Sequence, residues 1–140
     1  MKKLFTFVTV MLLSLFGSVT VNAETIPLWE GSNASGDWTW DGRVQVDQTG
    51  FASAQVGDIL RISFTQDAEK FTYFQLKTQY ITAEWGQALL TSNAAELNEW
   101  GCITLAAGAT SYDITLNETD VANLKNYHGF IATGYGLVFT

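Results

Sequence analysis

One cysteine, one proline and one histidine are all that the 140-residue chain holds of those three types. Their scarcity excludes a disulfide framework, a cysteine or histidine zinc site and a proline-rich linker. Charge is also sparse: 15% of residues are charged, too few for a coiled coil or a disordered polyelectrolyte. Seven basic residues stand against fourteen acidic ones, a net charge of -7, so no basic patch is at hand for nucleic acid. The length suits one domain and not two. What is abundant is apolar and aromatic: 47% hydrophobic residues, with five Trp, five Tyr and nine Phe.

Residues 1–23 read as a secretory signal peptide. Lys2 and Lys3 supply the positive start, Leu4 to Phe16 the apolar stretch, and Val21-Asn22-Ala23 the short residues of a cleavage site. The apolar stretch is shorter than the ~20 residues of a membrane span. The expected product is residues 24–140, secreted to the periplasm or beyond, with no membrane insertion after cleavage. In such a product the lone Cys102, set in an apolar run beside Ile103, reads as a buried structural thiol.

Over 24–140 the apolar residues recur every second position and are mostly β-branched or aromatic, the signature of strands. Strands are expected at 26–30, around Val44 and Val46, at 59–64, 71–80, 85–90, 100–105 and 111–116, and in two final segments at 129–133 and 137–140. In the third, Leu60, Ile62 and Phe64 face a core while Arg61 and Ser63 face away. Turn signals recur every 8–12 residues or so, which argues for a β-sandwich. One segment, 119–125, is helical in character. Thr119 is the expected N-cap, Asp120 and Lys125 suit the two ends of the helix dipole, and Gly129 is the expected stop. Asn117-Glu118-Thr119 also fits a glycosylation sequon, to which an export context of bacterial type gives no weight. The closing run Leu137 to Thr140 breaks off inside a strand pattern, leaving two readings open: a strand shortened at its end, or a piece of a longer chain.

Several strings recur in an order that is familiar. They are Leu28-Trp29-Glu30-Gly31, Trp38 after a polar loop, Phe51 ahead of Gly57-Asp58-Ile59-Leu60-Arg61-Ile62, then Gln75-Leu76-Lys77, the isolated Trp85, and Tyr112-Asp113-Ile114-Thr115-Leu116 before a short helix and a glycine-rich hairpin. The pattern resembles the galactose-binding-like jelly-roll modules of exported proteins from glycan-degrading bacteria, often read as carbohydrate-binding modules. The resemblance runs over nearly all of 26–140. It implies an all-β jelly-roll or sandwich with one short helix near the C-terminus, a carbohydrate ligand, and association with a glycan-degrading enzyme. Members of that family run on for a few residues after the equivalent of Phe139-Thr140, and this sequence departs from them there.

Sugar recognition needs an aromatic ring to stack on the C–H face of a pyranose and planar polar groups to read its hydroxyls. Trp29 and Trp38 match recurrent positions expected in the core. Trp40, flanked by Asp41 and Arg43 near a glycine turn, is a candidate platform, with core packing the alternative. Trp85 and Trp100, each beside polar residues, are further candidates. Gln75 and Lys77 share one face of a strand and, with Arg43 and Arg61, would line a polar surface; the alternative is a solvated outer face, with Arg61 paired to an acid across the strands. Tyr135, between two glycines, sits at an expected hairpin tip, a contact candidate that could instead cover the core edge. The candidate ligand-binding set is therefore Trp40, Asp41, Arg43, Gln75, Lys77, Trp85, Trp100 and Tyr135.

Catalysis is not expected. No local pattern names a carboxylate pair for glycoside hydrolysis, and no Gly-x-Ser-x-Gly elbow accompanies the single His128, which reads as a capping or solvent-facing residue. A small hydrolase stands as the least favoured reading, behind a structural or adhesive module that binds protein through an open sheet edge. No cofactor is expected. A structural calcium, held by Asp37, Asp41 and Asp47 or by Asp67 and Glu69, is the one metal the acids suggest.

Overall fold

The computed structural model describes residues 5–9 and 24–140. Most of the expected leader thus lies outside the described residues. Its Phe5–Thr9 forms strand β1, followed by β2 (Glu24–Pro27), β3 (Asn33–Ala34), β4 (Val44–Val46), β5 (Ile59–Gln66), β6 (Phe74–Ile81), β7 (Gln87–Leu89), β8 (Ile103–Leu105) and β9 (Ser111–Thr115). Helix α1 (Glu118–Asn126) precedes β10 (Phe130–Tyr135) and β11 (Leu137–Phe139). Among the described residues no helix is long and apolar enough to cross a membrane.

The strands form two antiparallel sheets, an all-β sandwich with one short helix, as the two-residue periodicity predicts. The first sheet runs β2-β1-β5-β11-β3, with β9 also paired to β5; the second runs β4-β10-β6-β7, with β8 also paired to β6. Alternation along β5 puts Leu60, Ile62 and Phe64 inside and Arg61 outside. Across the gap Val44, Val46, Leu76, Phe130 and Ala132 close the core, joined by Phe51, Ile114, Leu124 and Phe139. Trp29 is half-buried against this core.

Two local expectations are corrected. The N-cap of α1 is Asn117, whose Oδ1 accepts from the Asp120 amide 2.8 Å away, so Thr119 lies inside the first turn. The strands expected from Trp85 and from Trp100 begin only at Gln87 and Ile103. Both tryptophans stand in turns.

Candidate functional site

Register fixes which side chains share the outer face of the second sheet. Gln75 pairs with Tyr135 and Thr104, Lys77 with Thr133, and Gln79 with Ile131 and Leu89. Ile131 in turn pairs with Gln45. Directly paired residues point the same way, and the neighbours Leu76 and Ala132 are in the core. The outer face is therefore floored by Gln75, Lys77, Gln79, Thr133 and Gln45, with the buried Ile131 between Gln79 and Gln45. It extends ~20 Å from Gln75 to Ile81 at about 3.3 Å per residue.

Aromatic rings surround this polar floor. At the Gln75 end Tyr135 stacks on Tyr73 with ring centroids 4.5 Å apart and meets Phe71 edge-on at 4.9 Å. Trp38 approaches the same tyrosine at 6.4 Å. Tyr135 is thus the end of β10, held in an aromatic cluster; of its two expected roles, the free hairpin tip is corrected. The Tyr73 hydroxyl beside it raises the Tyr135 phenol above its ordinary value. A cleft of about 340 Å³ opens here, lined by Trp38, Gln75, Lys77, Trp100 and Cys102. Cys102 is buried, as expected, and burial pushes its thiol pKa up, which makes it an inert wall.

At the β4 side, Trp40 sits in a short 3₁₀ turn, Trp40–Gly42, with the Arg43 guanidinium 4.3 Å from its ring centroid. Arg43 also donates to the Trp40 carbonyl and to Gln45 Oε1, so one arginine ties the indole to the floor of the face. Asp41, in the same turn, is exposed. At the far end Trp85 lies flat on His128, centroids 3.5 Å apart. The hairpin that carries it follows a defined recipe: Trp85 N–H donates to the Thr82 carbonyl, and the Gly86 amide to Thr82 Oγ1. That closes a tight turn followed by a left-handed residue, a position glycine usually takes.

Tryptophan takes it here. Among the described residues only Trp38 (φ 56°) and Trp85 (φ 67°) combine a non-glycine side chain with positive φ. Each costs the backbone about 1 kcal/mol or more. The left-handed turn carries Trp38 into the cleft wall, whereas the sequence pattern places it in the core. Trp40, Trp85 and Trp100 are 50%, 65% and 71% exposed.

The structure thus brings Gln75, Lys77 and Trp100 together at the cleft with Tyr135 paired to Gln75, and ties Trp40 through Arg43 to Gln45; Trp85 stands apart from them, in the turn between β6 and β7. Arg61 is not among them. It lies on β5 in the other sheet and makes a bidentate pair with Asp113 across the strands, 2.7 and 2.8 Å. The candidate set left out Tyr73, although strand alternation puts it on the face of Gln75 and Lys77, and it missed the role of His128. The signal for Tyr73 was present: it is two residues before Gln75, on the same face of an extended chain. Asp47 spends its carboxylate on the Thr49 amide and hydroxyl, which hold its pKa below the usual value. Among the described residues no group of three His, Cys, Asp or Glu side chains is placed to hold a metal ion.

No family model matches the chain. No curated protein matches it either. Among solved structures it is similar to the Bacteroides ovatus mixed-linkage glucan utilization locus SGBP-B in complex with mixed-linkage heptasaccharide, with a TM-score of 0.54 at 14% identity. The match covers 86% of this chain and 30% of that one, so the chain spans under a third of its neighbour's length. At that identity the likeness is one of fold.

Proposed function

We propose that the chain binds a polysaccharide or other glycan, without catalysis, on the outer face of the β4-β10-β6-β7 sheet. One observation carries the reading: three tryptophans, Trp40, Trp85 and Trp100, stand half or more exposed in the turns around that sheet, Trp100 lining the cleft over Gln75 and Lys77 and Trp85 held at a left-handed backbone position. At Trp85 the left-handed backbone holds a large apolar ring 65% exposed, which suits stacking on the C–H face of a sugar. Between the rings, Gln75, Lys77 and Gln79 offer donors and acceptors for hydroxyls, with Arg43 and Asp41 at the β4 rim. The fold neighbour was solved with a mixed-linkage heptasaccharide, which supports the ligand class. The galactose-binding-like ancestry, removal of residues 1–23 on export, and work alongside a glycan-degrading enzyme belong to the same proposal.

Such a site works by stacking and wet hydrogen bonds, and its affinity is expected at roughly micromolar to millimolar. Affinity electrophoresis through gels containing different polysaccharides, mixed-linkage glucan among them, tests it. Retardation by one glycan class, lost in Trp85→Ala and Trp100→Ala, is the expected result. Unretarded migration in every gel would remove the proposal. An EDTA arm decides whether calcium takes part.

A further inference from the structure

The cations of residues 24–140 are few, and most are occupied. Arg61 is paired with Asp113. Lys125 donates to the Ala54 carbonyl at 3.0 Å. Arg43 is spent on the Trp40 ring and carbonyl and on Gln45. Lys70 stands exposed in the turn after β5. Lys77 differs from all of these. It is half-buried, it lines the cleft, and among the described residues its ammonium makes no hydrogen bond or ion pair. The charge lies close enough to Cys102, on the cleft wall, to oppose part of the rise that burial imposes on the thiol.

The lining around Lys77 carries a single sign of charge. Trp38, Gln75, Trp100 and Cys102 complete it, so among the described residues no acid lines the cleft. The acids nearest in sequence to its two indoles, Asp37 and Glu99, are exposed beside it. This occurs in a chain where acids outnumber bases fourteen to seven. Gln75 lies two residues before Lys77 on the same face of β6, roughly 7 Å along the strand at about 3.3 Å per residue. Its side-chain amide makes no hydrogen bond among the described residues either. The cleft therefore offers three N–H donors of an ammonium and two of an amide, between aromatic walls. A hydroxyl can accept from either group. A carboxylate matches them better, with two coplanar acceptor oxygens and a charge that makes its hydrogen bond to an ammonium about twice as strong as a neutral one.

We propose that the cleft takes a uronic-acid residue of the glycan, its carboxylate held by the Lys77 ammonium and the Gln75 amide, its ring against the indole of Trp100. This rests on the glycan-binding reading above and names the ligand class for it. The acidic remainder of the surface sharpens the selection. It repels a polyanion in general, so attraction is confined to this one cation. At physiological salt, where charges are screened beyond about 8 Å, the direct contact persists while the long-range repulsion fades.

The test titrates the full chain at physiological salt, following tryptophan emission, with polygalacturonate, alginate and glucuronoxylan. Each is set beside its carboxyl-reduced form, which keeps the linkage and loses the charge. Mixed-linkage glucan serves as the neutral glycan and dextran sulfate as an anion of another kind. At least one polyuronate is expected to bind at least fivefold more tightly than its reduced form and than dextran sulfate. Lys77→Gln, which keeps a donor and loses the charge, should abolish that difference, with its melting temperature and any binding of the reduced form unchanged. Lys77→Arg should retain the difference. Equal binding of acidic and reduced forms, a preference for dextran sulfate, or a preference that survives Lys77→Gln would each overturn the inference. Binding of mixed-linkage glucan with no uronate preference overturns it and leaves the glycan-binding reading standing. Binding of no glycan at all removes both.

Discussion

The indole of Trp85 lies on the imidazole of His128, ring centroids 3.5 Å apart and planes within 13°. Only one side of the indole is used by that contact, and Trp85 remains 65% exposed. His128 therefore acts as a backing plate that keeps the ring flat toward solvent, at the end of a turn where glycine would cost less. The two roles separate by mutation. Trp85→Gly suits the left-handed backbone and Trp85→Ala does not, so the glycine variant should be the more stable of the two by about 1 kcal/mol. Both should weaken glycan binding about five- to tenfold, the loss of one aromatic stack of roughly 1 kcal/mol or more. Thermal melts and glycan titrations on both variants check this. Full binding by Trp85→Gly would show that the ring does not touch the ligand.

Gln75 and Lys77 line the cleft with Trp38 and Trp100, and among the described residues their side chains make no hydrogen bond. Their removal should therefore leave stability within about 0.5 kcal/mol. Gln75→Ala or Lys77→Ala should each cost binding about 1 kcal/mol, near fivefold, as expected for one net hydrogen bond. Affinity gels beside urea melts separate the two effects. A matched loss of stability and binding would mean that these side chains organise the sheet and do not read the ligand.

The sequence was most legible where its two-residue alternation continued uninterrupted. Leu60, Ile62 and Phe64 point inward and Arg61 outward as their spacing requires, and Arg61 finds its acid in Asp113 across the strand. Legibility ended where the backbone turned left-handed. A residue at positive φ leaves the alternation of its neighbours, so Trp38 could not be assigned to a face by counting. Nor could the pairing between residues 5–8 and 59–62 be read, because it is set by three-dimensional register and leaves no local pattern. The N-cap was misplaced for a different reason. Thr119 and Asn117 are both good caps by type, and only the position of the first turn chooses between them.

Asp120 is fully buried in the first turn of α1, and its carboxylate leaves the helix to accept from the Thr91 and Ser92 amides and from Thr91 Oγ1 at 2.6 to 3.0 Å. It joins the helix to the segment that follows β7. Asp120→Ala would leave two partly buried amides without acceptors and should cost roughly 3 kcal/mol. Asp120→Asn keeps one carbonyl acceptor and should cost about half as much. Chemical denaturation of the two variants gives both numbers. A loss under about 1 kcal/mol in the alanine variant would mean that water replaces the carboxylate freely.

Tyr112 donates to Glu96 Oε1 at 2.6 Å and accepts from Asn93 Nδ2 at 3.2 Å. Burial first, and then the hydrogen bond to a carboxylate that a phenolate could not make, push its pKa up to about 12. The sign of the pH dependence follows. Below about pH 10 the phenol is neutral in folded and unfolded chains alike, and its contribution to stability is complete. Between about pH 10 and about pH 12 the unfolded chain loses its proton first. Stability therefore falls as pH rises through that window, and the contribution is gone above it. Tyr112→Phe removes the titrating group, so at pH 8 it should be less stable by about 1 kcal/mol, for the lost hydrogen bonds. Its stability should then decline less steeply than that of the parent above about pH 10. Urea midpoints collected across the alkaline range for both proteins decide the matter, and parallel declines would place the Tyr112 hydroxyl in free exchange with solvent.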